Sequence, residues 1–136
     1  MSYHISYKII DDYLKVTVTG SASLSNRETV AAISADVNKL VVENNITKIL
    51  VDGSSTEGRL GVFDAVDHIE NYPPEMKLRQ YAIIDKPEYR DNNNFFENYA
   101  INRGYRIYFF YDIAEAEKWL NVEGYVEAEL VLEKDY

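Results

Sequence analysis

The stretch Ile49-Leu50-Val51-Asp52-Gly53-Ser54-Ser55-Thr56-Glu57-Gly58-Arg59-Leu60-Gly61 gathers three hydroxyls, two carboxylates, one guanidinium and three glycines into thirteen positions. Three chemistries compete for it. Gly53 and Gly58 have the G-x-x-x-x-G spacing of a phosphate-cradling loop, but Arg59 and Leu60 stand where that loop needs Lys and Ser or Thr. Without a hydroxyl for magnesium, and with Glu57 repelling phosphate from inside the loop, nucleotide hydrolysis is rejected. A phosphorylation switch needs only an accessible hydroxyl. A phosphate of about -2 charge on Ser54, Ser55 or Thr56 would be held by the following helix N-terminus and by Arg59. The plainest chemistry is structural: hydroxyls in such a loop make turn and capping hydrogen bonds, and this reading is preferred.

The remaining candidates meet the same comparison. Asp52, Asp85 and Asp112 each follow an apolar run, so all three fall at the carboxyl edge of a sheet, where α/β proteins bind ligands. Three carboxylates suggest magnesium, and Asp85-Lys86-Pro87 echoes a receiver domain, yet strand-end aspartates more often cap the next helix. No metal site is assigned and no cofactor is implied. His68 follows Asp64 by one helical turn and adjoins Asp67, but two ligands make no site, and the group reads as a solvated helix face. The twelve tyrosines include Tyr105, Tyr108 and Tyr111 in one run, and Phe95, Phe96 and Tyr99 share one helix. Such rings suit the wall of a partly polar pocket, with Phe95, Phe96 and Tyr99 as its candidate residues. No nucleophile, base and oxyanion donor converge in the pattern, which reads as non-enzymatic.

These residues must be positioned by regular elements. His4 to Ile10 and Leu14 to Thr19 are extended runs around Asp11-Asp12, the second alternating Leu14, Val16, Val18 with Lys15, Thr17, Thr19, which predicts a hairpin. Ser25 with Glu28 has capping-box spacing, and Val30, Ile33, Val37, Leu40 and Val41 recur at helical intervals until Asn44-Asn45. Ile46 to Val51 reads as a buried strand, Val62 to Glu70 as a helix stopped by Tyr72-Pro73-Pro74, and Leu78 to Ile84 as the next strand. Asn92 to Arg103 is a helix with Gly104 as its left-handed cap, Tyr105 to Tyr111 an aromatic strand, and Asp112 with Glu115 opens a helix burying Ala116, Trp119 and Leu120. Gly61 is expected to start its helix through close backbone packing. The order ββαβαβαβα requires right-handed crossovers, predicting a single α/β domain with a mainly parallel sheet and an N-terminal antiparallel hairpin.

Composition bounds the role. The 136 residues suffice for one core, and no apolar stretch approaches the ~20 residues of a membrane span. A net charge of -9, from 23 acidic and 14 basic residues, repels nucleic acid and anionic membranes. The absence of cysteine removes disulfides, thiol nucleophiles and thiolate zinc sites. With no apolar leader in Met1 to Lys8, the expectation is a cytoplasmic protein.

The loop after Ile49-Leu50-Val51-Asp52-Gly53-Ser54, together with Arg103-Gly104-Tyr105, Phe109-Phe110-Tyr111-Asp112-Ile113-Ala114-Glu115-Ala116 and Trp119-Leu120, resembles the STAS domain superfamily. The nearer likeness is to its SpoIIAA-like branch, sometimes grouped with lipid-binding SEC14-type domains, and it spans residues 3 to 121. The resemblance implies a non-enzymatic regulatory or protein-interaction module. Anti-sigma-factor antagonists of this kind bind a partner kinase and are switched by phosphorylation of a serine, whereas other relatives bind small lipophilic ligands between helices and sheet. The antagonists' Asp-Ser-Ser/Thr-Gly motif falls here on Leu60 and Gly61, which offer no hydroxyl. Residues 122–136 form an extension: Val126, Ala128, Leu130 and Leu132 alternate with Glu127, Glu129, Val131 and Glu133, the pattern of a half-buried strand. Gly124 lets that strand return to its own sheet or pair with a neighbour's, the second route giving a homodimer.

Overall fold

Side-chain alternation builds the first unit. In β1 (Tyr3–Ile10) and β2 (Tyr13–Gly20), Ile5, Tyr7, Ile9, Leu14, Val16 and Val18 share one buried face, and Asp11 takes a left-handed conformation in the connecting turn. The computed structural model describes residues 3–20, 23–123 and 130–136. After the hairpin come α1 (Arg27–Glu43), β3 (Lys48–Asp52), α2 (Val62–Glu70), β4 (Gln80–Ile84), α3 (Arg90–Asn102), β5 (Arg106–Phe110), α4 (Ile113–Leu120) and β6 (Leu130–Asp135). The six strands form one sheet in the order β5-β4-β3-β2-β1-β6. β2 to β5 run parallel, and β1 lies antiparallel to both β2 and β6. This is the mixed α/β sheet with an opening antiparallel hairpin that the sequence predicts.

The two sheet faces are covered differently. Ile33, Val37 and Val41 of α1, Ile69 of α2 and Ala100 of α3 pack on the face carrying Val16 and Ile49. Ala116 and Leu120 of α4 pack on the opposite face against Leu50, Ala82 and Ile84. No helix among the described residues is long and apolar enough to cross a membrane.

Several local expectations shift. The cap of α1 is Asn26, whose side chain accepts from the Thr29 amide (3.0 Å), while Ser25 bonds the Ser23 hydroxyl instead. β4 begins at Gln80 because Pro74–Leu78 closes into a 3-10 turn, and Pro87–Tyr89 forms another that brings the start of α3 forward to Arg90. Gly104 has φ +92 as expected of a cap, but Gly61 has φ -69 and open space around its missing side chain, so close packing is not its role.

β6 pairs with β1 of the same sheet, Leu132 lying opposite Tyr7 and Leu130 opposite Ile9. All six of its residues are exposed, which corrects the expected half-burial. Its register places Leu130 and Leu132 on the α1 side of the sheet, at an edge where neither is covered. What ties β6 down is polar: Lys134 Nζ reaches Asp36 of α1 (2.7 Å), and Tyr136 beyond the strand bonds both Asp36 and the Tyr7 hydroxyl. Gly124, Val126, Glu127, Ala128 and Glu129 lie outside the described residues.

Candidate functional site

Parity along the parallel strands decides what faces the first three helices. Val51, Tyr81, Ile83, Ile107 and Phe109 occupy alternate positions of β3, β4 and β5 and share that face. Between them and the helices lies a cavity of about 510 Å³, walled mainly by apolar side chains such as Val37, Leu60, Met76 and Phe96. Phe96 meets Phe109 edge-to-face at 5.7 Å. Of the three aromatic residues expected as pocket wall, Phe96 alone lines the cavity. At about 100° per residue, Phe95 and Tyr99 are neighbours on the helix and Phe96 is turned away from Phe95. Phe95 accordingly stacks on Tyr99 (6.1 Å) and is 36% exposed, while the Tyr99 hydroxyl donates to Glu70 and accepts from Arg103 (2.8 Å).

At the carboxyl edge of the sheet the cavity ends in a charged network. Asp85, 4% exposed, is gripped by Arg59 through Nε (2.9 Å) and Nη2, by Asn93 Nδ2 (2.9 Å) and by the Lys86 amide (2.8 Å). Arg59 also donates to the carbonyls of Gly53 (3.1 Å), Thr56 (3.3 Å) and Gly58, and its guanidinium lies 4.2 Å from the centre of the Tyr89 ring. The Tyr89 hydroxyl accepts from the Gly58 amide (2.9 Å) and donates to Glu57 (2.9 Å). Hydrogen bonds from Lys86 and Tyr89 hold the Glu57 carboxyl below its ordinary range. Gly58 sits at φ +76, and a side chain there would strike the Ser23 hydroxyl.

The hydroxyl-rich loop therefore folds around Arg59. Ser54 Oγ donates to Asp52 (2.6 Å), and Thr56, fully buried, donates to the Gly53 carbonyl (2.6 Å), both turn bonds of the kind read from the sequence. Ser55 is exposed. The three strand-end aspartates do different work: Asp52 closes the turn at Ser54, Asp85 anchors Arg59, and Asp112 caps α4 through the Ala114 amide (2.9 Å). No group of three His, Cys, Asp or Glu able to hold a metal is found among the described residues. Sequence reading missed the Arg59–Asp85 pair, although one signal was present: the loops after adjacent parallel strands emerge at the same edge.

His68 is the second residue that the structure moves. Instead of lying on a solvated face it lines the cavity, with Nε2 3.2 Å from Ser34 Oγ of α1 and its ring edge-on to Tyr72 at 5.0 Å. Burial pushes its imidazole below the ordinary value, opposed by nearby Asp67. Asp64 and Asp67 pair with Arg27 of α1, so the carboxylates hold the two helices together and His68 turns inward. Its position one residue before buried Ile69 and three after buried Ala65 was the available signal. Burial likewise raises the Tyr81 phenol to about 12.

No family model matches this chain, and no curated protein matches it. Among solved structures, an uncharacterized protein of the DUF3478 family with a SpoIIAA-like fold, from Shewanella loihica PV-4, superposes with a TM-score of 0.51 at 20% sequence identity. The match covers 87% of this chain and 93% of that one. The chain has a SpoIIAA-like fold.

Proposed function

We propose that this protein is a non-enzymatic binder of a small lipophilic ligand, held between α1, α2, α3 and the sheet. The cavity carries this reading. Its 510 Å³ falls inside the range of about 300–1,000 Å³ common to small-molecule sites. The cavity opens to solvent, so its mainly apolar wall, left bare, holds water against hydrocarbon, an arrangement that a bound lipophile relieves. The reading as a phosphorylation-switched module draws less support, because Ser54 and Thr56 are engaged in turn bonds and Arg59 is held by Asp85, which leaves exposed Ser55 as the loop hydroxyl open to a kinase. A protein-interaction role has an observation of its own in Phe63, 90% exposed, beside half-exposed Val62 at the start of α2.

Native mass spectrometry of the purified protein, followed by titration with the neutral dye Nile red, tests the proposal. The expected result is a retained mass removed by solvent extraction, or saturable one-to-one dye uptake by the extracted protein. A bare mass together with no saturable uptake would refute it.

A further inference from the structure

We infer that the ligand is uncharged, a lipophile carrying a hydroxyl or carbonyl oxygen, and that the Ser34–His68 pair receives that oxygen. The inference rests on the lipophile-binding reading and specifies its chemical class. The described cavity wall contains three residues able to carry charge: Arg59, Asp85 and His68. Arg59 is neutralised by Asp85 and further bonded to three loop carbonyls. A carboxylate or phosphate approaching it would meet the buried Asp85 carboxylate already in place, and a cation approaching Asp85 would meet Arg59. His68 is desolvated, which favours its neutral form. An ion drawn against this apolar wall would shed part of its hydration and find no unpaired countercharge.

One oxygen, in contrast, has a receiver. Ser34 Oγ and His68 Nε2 share a hydrogen bond across the seam of α1 and α2. When Ser34 donates, its oxygen keeps lone pairs that accept from a ligand hydroxyl. In the other histidine tautomer Nε2 donates, and the serine hydrogen is free to turn toward a ligand carbonyl. The pair thus serves an alcohol or a neutral carbonyl, and Asn38, one turn further along α1, adds an amide to the same part of the wall. At about 30 Å³ per water-sized group the cavity holds roughly 17 such groups, so a ten-carbon chain fits.

The test is displacement of Nile red from the extracted protein at pH 8 by decanol, methyl decanoate and decanoate, which share a chain and differ in charge. The two neutral compounds are expected to bind at least about 100-fold more tightly than the anion, the equivalent of two factors of ten in Kd. Decanoate binding as tightly as decanol would overturn the inference and leave lipophile binding standing. Failure of the dye and all three compounds would remove the inference together with the reading beneath it. Ser34→Ala, a helix-favouring change, is expected to weaken decanol about tenfold. Unchanged decanol affinity in that folded variant would overturn the assignment of the anchor.

Discussion

Replacing Asp85 by alanine removes the acceptor of four hydrogen bonds from a site only 4% exposed. The Arg59 side chain, 13% exposed, keeps its loop carbonyls but loses its countercharge, and Asn93, 2% exposed, loses the partner of its amide. One-sided loss of a buried ion pair costs about 3–5 kcal/mol, and an unsatisfied buried amide about 1–3. The two belong to one network and do not add, and partial exposure of Arg59 favours the lower end, so about 4 kcal/mol is expected. Urea unfolding measures it directly. A domain of this size should melt about 15 °C lower, at roughly 4 °C per kcal/mol. Arg59→Met alone should also be costly, because it strands the Asp85 carboxylate. The double variant Arg59→Met/Asp85→Ala should lose less than the two singles combined by about 2 kcal/mol or more. Additive losses, or an Asp85→Ala cost under about 1 kcal/mol, would refute the claim that this pair organises the loop.

The two histidines should titrate on opposite sides of the ordinary value near 6.5, His4 above it through its hydrogen bond to Asp135 and His68 below it through burial. The signs differ accordingly: the contribution of His68 falls as pH drops below about 6.5, where the unfolded chain takes the proton first, while that of His4 is present at low pH and lost as pH rises through its folded value. Ring-proton NMR resolves both, and coincident titrations near 6.5 would defeat the buried placement of His68. Alanine at three glycines should rank by conformation: Gly58 costs more than about 2 kcal/mol, Gly104 about 1, and Gly61 under about 0.5. The reasons are left-handed φ with a clash at Ser23, left-handed φ against the movable Lys77 side chain, and extended φ in open space. Equal melting losses at Gly61 and Gly58 would contradict that order.

Local pattern made the fold legible and left the site partly hidden. Period-two alternation marked β2 because one of its faces is buried, and proline after Tyr72 marked the stop of α2. Boundaries failed where two polar residues competed, as Ser25 and Asn26 did for one cap, or where a 3-10 turn consumed the approach to a strand. Phe96 was legible as a large ring on a helix beside a buried strand, but which of three rings faced inward depended on helix rotation. Arg59 and Asp85 stand 26 residues apart, and only strand order brings them together. His68 was obscured by its flanking aspartates, whose partner Arg27 lies on another helix.

Cavity and ion pair are consequences of the same sheet geometry. Parity sends Val51, Ile83 and Phe109 toward the cavity and Leu50 and Ala82 toward α4, where Ala116 allows close approach. Where β3 and β4 end, their loops meet, Arg59 bonds Asp85, and the same loop contributes Gly53 and Leu60 to the cavity wall. A ligand touching Leu60 therefore also holds the loop that Asp85 anchors. Binding to the folded state at 100 times Kd stabilises it by about 2.7 kcal/mol, a large part of the loss expected from Asp85→Ala. Because that loop is part of the wall, loosening it in Asp85→Ala should weaken the ligand, so the variant's melting temperature should gain less from a bound lipophile than the parent's does. An equal gain in both would show that the helices and sheet alone form the binding wall.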